Sequence, residues 1–244
     1  MIKLTKKMED INMNYKGYIR EIKLDENHNM IFHESNSQDM YENVSWRLNS
    51  FYTKEQETIE WIRTSVKPDS VFWDIGANIG QYGIFAASLH GCQTYLFEPE
   101  PLNFSTTTLN VKLNTLSKVL PVPIALSNKR GYNTINIKTE AGASNISIEH
   151  KAYQCKQGIW TDTIDLLVKE GFTHPTHLKI DVDGVEQKIL EGAKETIPNL
   201  QSILIETDEN SINKVATFLD QFGFKSFTTH KRGVPGIFNL IFSK

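Results

Sequence analysis

From about residue 70 onward, short apolar runs alternate with segments whose apolar residues recur at helical spacing. The runs at residues 70–75 and 94–97 have the length and composition of buried strands, and turn residues follow each of them. Residues 79–89 and 101–114 show the spacing of helices. Strands that alternate with helices predict a parallel sheet covered on both faces, so we expect a doubly wound α/β fold.

The alternation continues through the second half of the chain after one interruption. Residues 124–148 break the pattern, and alternating residues at 132–137 predict a β-hairpin inserted there. Two apolar runs around a Gly-Pro turn end the chain and predict an antiparallel hairpin at the sheet edge. The remaining predicted elements are strands at 118–123, 177–181, 202–206, 224–227 and 237–242, and helices at 162–170, 185–193 and 212–222.

The first 53 residues are polar and irregular, and we expect them to form an N-terminal cap of short strands and turns. Residues 54–244 would then form the α/β domain, which begins with a helix at 54–66 that has Thr53 as its N-cap. The cap carries many aromatic residues that the α/β core does not need. We therefore expect it to shape a substrate pocket or a contact between copies of the chain in a homo-oligomer.

Charge and cysteine content exclude several classes of protein. The 244 residues contain 26 Lys and Arg against 29 Asp and Glu, a net charge of −3. This balance argues against binding to nucleic acid or to an anionic membrane surface. Two cysteines, Cys92 and Cys155, cannot form a disulfide framework or a structural zinc site. Without an apolar signal or a run long enough to span a bilayer, a cytoplasmic location is expected.

The loop after the first buried strand contains an acidic residue and several glycines. It begins at Asp74 and reads DIGANIGQYG over residues 74–83. A dinucleotide fingerprint would need glycine where Asn78 stands, and Asp74 would repel a pyrophosphate. S-adenosylmethionine, which carries a sulfonium and an ammonium, suits this loop better. Glu98 ends the next strand, where a carboxylate can accept hydrogen bonds from ribose hydroxyls.

Three motifs in this order resemble the FkbM-type class I methyltransferases. They are DIGANIG at 74–80, FEP at 97–99 and KIDVDGVE at 179–186, and the resemblance extends over about residues 68–210. It implies a Rossmann-like fold with a mostly parallel, seven-stranded sheet and S-adenosylmethionine as methyl donor, usually for O-methyl transfer. The cofactor-binding residues that follow from the loop and the resemblance are Asp74, Gly76, Asn78, Gly80, Glu98, Ala125 and Asp181.

The later strand ends carry the candidate catalytic residues. Asp181 and Asp183 bracket one strand end and could serve as general base or contact the substrate. An alternative is a divalent metal site, such as one for Mg²⁺, formed by Asp181 with Glu206 or Asp208. A third interpretation is that Asp183 and Glu186 cap the following helix and complement its dipole.

Two further segments are expected to reach the same end of the sheet. His230 could act as a base, with Lys231 and Arg232 holding an anionic substrate, although a solvated basic hairpin is an equal alternative. Residues 142–145 in the inserted region are also expected at the pocket.

The leading hypothesis is an enzyme that methylates a hydroxyl of a small molecule, most readily a sugar, a nucleotide sugar, a glycan or a natural-product precursor. The choice of a sugar rests on the family resemblance alone. One alternative is a non-catalytic protein that binds S-adenosylmethionine, and a second is a methyltransferase that acts on another small-molecule acceptor. Another is an NAD-dependent oxidoreductase, which NAD binding without S-adenosylmethionine binding would support.

Overall fold

A computed structural model describes residues 2–7, 18–34, 38–137, 155–182 and 184–244. Asp183 and residues 142–145, both predicted to lie at the site, are outside the described residues. Within the described residues, no helix is both long enough and apolar enough to cross a bilayer. The elements up to residue 65 are β1 (Ile2–Lys7), β2 (Tyr18–Lys23), β3 (Asn29–Glu34), α1 (Gln38–Asn49), α2 (Phe51–Lys54) and α3 (Gln56–Ser65).

The rest of the chain alternates strands and helices, as the sequence predicts. A 3-10 turn at Ile197–Asn199 precedes the last parallel strand. The elements are β4 (Val71–Ile75), α4 (Gln81–His90), β5 (Gln93–Phe97), α5 (Pro101–Leu113), β6 (Val119–Val122), β7 (Ala125–Leu126), β8 (Gly131–Ile137), β9 (Cys155–Asp162), α6 (Ile164–Lys169), β10 (His177–Ile180), α7 (Glu186–Glu191), β11 (Ser202–Asp208), α8 (Ile212–Asp220), β12 (Phe227–Lys231) and β13 (Ile237–Ser243).

Seven of these strands form one sheet in the order β12-β13-β11-β10-β4-β5-β6. The five strands from β11 to β6 are parallel, whereas β13 is antiparallel to both of its neighbours. The predicted class, a doubly wound and mostly parallel α/β sheet with an antiparallel C-terminal hairpin, is confirmed. Because the parallel strands point the same way, their carboxyl ends meet at one edge of the sheet.

The inserted region forms a separate three-stranded sheet in the order β7-β9-β8. Strand β8 is antiparallel to β9, with Gly131 opposite Thr161 and Ile137 opposite Cys155. The predicted hairpin is present, but its second strand lies beyond the predicted range of 124–148. Gly158 interrupts the alternating pattern in this strand, which is why the sequence pattern did not reveal it.

Two elements near residue 50 differ from the prediction. Residues 38–49 form the helix α1, although turns and short strands were expected there. The helix predicted from Lys54 begins instead at Gln56, and Thr53 lies inside the short helix α2 rather than at an N-cap. Glu55 separates the two helices because its backbone, at φ −138° and ψ 61°, is not helical.

Buried side chains of the N-terminal elements belong to the same hydrophobic cluster as those of α3, α4 and one face of the large sheet. Phe32 and Phe51 are fully buried and share this cluster with Ile62 of α3 and Phe85 of α4. Some of the aromatic side chains that we expected at a substrate pocket or an interface therefore fill the core. The division into a cap at 1–53 and a domain at 54–244 stays a prediction.

Asn110 of α5 and Asn114, which directly follows this helix, attach the N-terminal sheet to the rest of the protein. Asn110 Oδ1 accepts a hydrogen bond of 2.8 Å from the backbone amide of His33, and Asn114 Oδ1 accepts one of 2.7 Å from Ile31. Asn110 also donates through Nδ2 to the backbone carbonyl of Ile79, at 2.9 Å. One buried side chain thus connects strand β3 to the glycine loop.

Candidate active site

The glycine loop lies at the carboxyl edge of the sheet, between β4 and α4. The backbone amides of Gly76 and Ala77 both donate to the carbonyl of Phe97, at 3.0 and 3.1 Å, and so fix the loop against β5. Gly76 has φ +79°, and a Cβ atom there would lie 2.0 Å from the carbonyl oxygen of Asp181. Gly80, which donates to the carbonyl of Ala77 at 2.8 Å, closes the loop before α4. This turn therefore requires glycine at residue 76.

Asp74, at the start of the loop, is fully buried and is ion-paired with Lys179. Its Oδ1 lies 3.3 Å from Nζ of Lys179, and its Oδ2 accepts a hydrogen bond of 3.1 Å from the amide of Gly83. Burial raises the pKa of Asp74, while the charge of Lys179 opposes this rise. Lys179 also lies 3.1 Å from Oδ2 of Asp181, and the ring centroid of Tyr82 is 5.0 Å from its Nζ. Asp74 therefore holds the end of the loop through the amide of Gly83, and it shares the cation of Lys179 with Asp181.

Glu98 is also buried, and backbone amides hold both of its carboxylate oxygens. Oε2 accepts from the amide of Asn78 at 2.8 Å, and Oε1 accepts from the amide of Glu100 at 2.9 Å. Burial raises the pKa of Glu98 to about 7, against the opposing effect of these amides. Among the described residues, Asn78 Oδ1 and the nearby Gln81 Oε1 are buried without a hydrogen-bond partner. We call residues 74–83 together with Glu98 the cofactor side. Its unpaired polar atoms and its glycine turn fit a polar ligand with hydroxyl and amino groups.

A row of polar side chains crosses the sheet next to the cofactor side. Ile180 pairs with Ile205, so Asp181, the residue after Ile180, lies beside Glu206. Glu206 pairs with Asn239, and Asn239 pairs with His230. Side chains alternate between the faces of a strand, so this row shares the face that carries Asp74 and Lys179.

Arg232 contacts two carboxylates, and one of them, that of Glu206, belongs to this row. Its Nη1 lies 2.6 Å from Oε2 of Glu55, and its Nη2 lies 2.9 Å from Oε2 of Glu206. Burial raises the pKa of Glu206 to about 8, and the negative charge of Asp181 adds to this shift, whereas Arg232 opposes it. Lys179 holds the pKa of Asp181 well below its usual range. We call the set of Glu55, Asp181, Glu206 and Arg232 the acceptor side.

Three of the predicted catalytic or binding positions need separate comment. His230 lies on the edge strand β12, where its Nε2 is 3.0 Å from Oγ1 of Thr228. Two strand spacings, about 10 Å, separate it from Glu206. Arg232 is paired with two carboxylates, and its expected contact with an anionic substrate stays a prediction. Ala125, half-buried, begins β7 and pairs with Thr161 outside the large sheet.

The predicted metal ligands do not form a metal site in the described residues. Asp181 and Glu206 lie on neighbouring strands, but each is ion-paired with a cation, Lys179 and Arg232 respectively. Asp208 is exposed and accepts hydrogen bonds from the amide of Asn210 and the hydroxyl of Ser211. Among the described residues, no group of three or more His, Cys, Asp and Glu could hold a metal ion.

Neither Glu55 nor the pairing of Arg232 with carboxylates was predicted from the sequence. Glu55 lies in the junction between α2 and α3, and Arg232 directly follows β12. No local motif joins two positions so far apart in the chain. The only available signal was an acidic residue at a predicted helix start, which is common in proteins and has no specific meaning.

The chain is similar in sequence to known methyltransferases. The family described as "Methyltransferase FkbM domain" matches residues 74–226, a range that contains the glycine loop, Glu98, Asp181 and Glu206. The hexuronic acid methyltransferase AglP of Haloferax volcanii is 27% identical over 163 residues. That alignment covers 66% of this chain and 65% of the relative. The chain thus matches about two thirds of the length of that relative.

Solved methyltransferase structures have a similar fold. The precorrin-6y C5,15-methyltransferase of Geobacter metallireducens GS-15 matches with a TM-score of 0.50 and 14% identity, over 78% of this chain and 86% of that one. An rRNA methylase of Streptococcus thermophilus matches with a TM-score of 0.50 and 10% identity, over 77% and 94%. At these identities the likeness concerns the fold alone.

Proposed function

The chain belongs to the FkbM methyltransferase family, and from this premise we propose that it transfers a methyl group from S-adenosylmethionine to a sugar hydroxyl. When bound, S-adenosylmethionine supplies a methyl group that its sulfonium has already activated. The protein's own part is to align the acceptor oxygen with that group and to take up the hydroxyl proton.

The cofactor side carries this proposal. Glu98 directly follows β5 beside the loop, where its carboxylate can accept hydrogen bonds from ribose hydroxyls. Asn78 offers an unpaired amide oxygen next to it. The left-handed turn at Gly76 lets the backbone approach a ligand closely. Asp74 and Asp181 add two carboxylates against one buried lysine, a charge balance that favours a cationic ligand.

The acceptor side supports a hydroxyl as the atom that is methylated. Three of its four charged side chains are carboxylates, and its arginine is engaged by two of them. Carboxylates accept hydrogen bonds from hydroxyl donors but repel an anionic acceptor atom. The relative from Haloferax volcanii is a hexuronic acid methyltransferase, which supports a sugar acceptor. With a net charge of −3, the chain is a poor partner for nucleic acid.

Two measurements test this function. Calorimetry should detect binding of S-adenosylmethionine and none of NAD. Purified protein should then form S-adenosylhomocysteine with methyl glucuronoside or methyl glucoside, with and without EDTA, and NMR should locate the new methyl group on an ether oxygen. A methyl ester would contradict the hydroxyl assignment, and a loss of activity in EDTA would restore the metal hypothesis. Cofactor binding without turnover on any sugar would favour the non-catalytic alternative.

A further inference from the structure

We propose that Glu206 accepts the proton of the acceptor hydroxyl, and that Arg232 and Glu55 hold its carboxylate in position. The inference rests on the proposed function, because it assigns one step of that reaction to a residue. It concerns a side chain near the end of β11, outside the glycine loop and one strand beyond Asp181.

The position of Glu206 meets the geometric requirement for a base. It lies on the sheet face of Asp74 and Lys179, in the strand next to β10, near the carboxyl edge. Its side chain is 18% exposed, so the carboxylate is largely desolvated and still reachable. A base must lie within hydrogen-bonding reach of the proton that it removes, and a strand end at the ligand edge of the sheet provides such a place.

The other candidate bases are less suitable. Asp181 is tied to Lys179 at 3.1 Å, and this cation stabilises its ionised form and makes it a weak proton acceptor. His230 lies two strands farther away and contacts Thr228. Burial and the neighbouring Asp181 keep the pKa of Glu206 near the working range of a base.

The groups that face Glu206 come from four elements. Asp181 and Lys179 belong to the end of β10, and Glu55 belongs to the junction of α2 and α3. Arg232 follows β12, and Asn239 of β13, which is not titratable, pairs with Glu206 directly. Arg232 contacts both Glu55 and Glu206, so it fixes the carboxylate and moderates its affinity for a proton. Arg232 and Glu55 are therefore positioning residues.

The proposed step balances in atoms and charge. The acceptor oxygen forms a bond to the methyl carbon as the carbon–sulfur bond breaks, and the sulfur keeps the electron pair of that bond. The hydroxyl proton moves to a carboxylate oxygen of Glu206. One positive sulfonium and one negative carboxylate thus become a neutral thioether and a neutral carboxylic acid, and the proton later leaves to water.

The first test compares Glu206→Gln with Glu209→Gln, an exposed glutamate three residues farther along the same segment. Methyl glucoside and methyl glucuronoside are the acceptors. We expect the kcat of the wild type to rise with pH. Glu206→Gln should lose this rise, lower kcat about 100- to 10,000-fold, and keep the Kd for S-adenosylhomocysteine within a factor of three. Glu206→Asp should restore part of kcat, and Glu209→Gln should match the wild type.

A second test needs no turnover. Because Glu206 keeps its proton to higher pH in the folded protein than in the unfolded chain, the wild type should lose stability relative to Glu206→Gln between pH 5 and 8. Urea unfolding at each pH measures this difference. Arg232→Lys should keep the midpoint of the pH–rate profile, whereas Arg232→Met should move it to higher pH.

The outcomes separate the two proposals. If the wild type methylates a sugar and Glu206→Gln does so with an unchanged kcat and pH profile, the role of Glu206 is overturned while the proposed function stands. If the wild type methylates neither sugar, the proposed function fails, and the role of Glu206 fails with it. A stability difference that does not vary with pH would also overturn the inference, because Glu206 would then have no raised proton affinity.

Discussion

The cofactor side and the acceptor side both bury carboxylates, but they stabilise them in different ways. Backbone amides of neighbouring residues hold Glu98 on the cofactor side. On the acceptor side, the guanidinium of Arg232 holds Glu55 and Glu206, and these three residues come from distant parts of the chain. Amide contacts depend on the backbone path alone, whereas the ion pairs depend on which side chains are present.

This difference has a consequence for function. A binding site made from backbone amides and a glycine turn tolerates little change, because any change moves the main chain. A site made from side-chain ion pairs can be altered by single substitutions that leave the sheet intact. We therefore expect substitutions on the cofactor side to affect stability and cofactor binding together, and substitutions on the acceptor side to affect turnover first.

The largest effect is expected from Gly76→Ala. The added Cβ would lie 2.0 Å from the carbonyl oxygen of Asp181, so the glycine loop and the end of β10 would have to separate. We expect a loss of about 3 kcal/mol or more in the free energy of unfolding, and cofactor binding too weak to detect by calorimetry.

Gly91→Ala is the matched control. Gly91 also has a positive φ, +65°, but nothing lies within 4 Å of a Cβ atom placed there. It should lose only about 1 kcal/mol from backbone strain and should bind the cofactor normally. Equal losses in the two variants would show that strain alone, rather than the contact with Asp181, explains the need for glycine.

A somewhat smaller effect is expected from Asn110→Ala, which disconnects the glycine loop from the N-terminal sheet. The variant removes the hydrogen bonds to the amide of His33 and to the carbonyl of Ile79, at an expected cost of about 2–4 kcal/mol. Urea unfolding and the Kd for S-adenosylhomocysteine measure the two consequences.

Asn114→Ala separates these contributions. The side chain of Asn114 forms hydrogen bonds with the backbone of Ile31, in the same N-terminal strand, and with the carbonyl of Asn110, and it is partly exposed. It should lower stability by a smaller amount and leave the Kd unchanged. A weaker Kd in both variants would mean that the N-terminal sheet itself contributes to cofactor binding.

The two sides of the site also differ in how far the sequence predicts them. Asp74, Gly76 and Glu98 lie in contiguous motifs next to apolar runs, so local pattern and strand order bring them to one edge of the sheet. Glu55 and Arg232 form an ion pair although they lie far apart in the chain. No sequence pattern reports such a contact.

The same distinction applies to the fold. The alternating half of the chain follows directly from hydrophobic periodicity, and the predicted sheet class is confirmed. Helix α1 was missed because it is mostly polar, although Val44 and Leu48 lie four residues apart and are both buried. The helix is stabilised by packing its buried side chains into the hydrophobic cluster on the large sheet. Local helix propensity does not report such tertiary packing.

Glu98→Gln tests the cofactor side through pH. The folded protein keeps the proton of Glu98 up to a pKa of about 7, so stability from the neutral form is present at low pH and is lost as pH rises through that value. Relative to the variant, the wild type should lose about 1–3 kcal/mol between pH 5 and 8. The glutamine of the variant has only one acceptor oxygen for the amides of Asn78 and Glu100, so one hydrogen bond is lost. The energetic cost of this lost bond does not vary with pH. Urea unfolding at several pH values gives the slope, and parallel curves would contradict the raised pKa.

The smallest effect is expected from Asp208→Asn, which marks where the acceptor side ends. Asp208 lies two residues after Glu206 on β11, but it is exposed and hydrogen-bonded to Asn210 and Ser211 at the start of α8. These bonds lower its pKa in the folded state, so its contribution to stability is present at neutral pH and is lost as pH falls through that lowered pKa. The variant should lose less than about 1 kcal/mol at pH 7, should converge with the wild type toward pH 3, and should keep kcat and its insensitivity to EDTA. A large loss of kcat would extend the acceptor side to the tip of β11 and return Asp208 to the reaction.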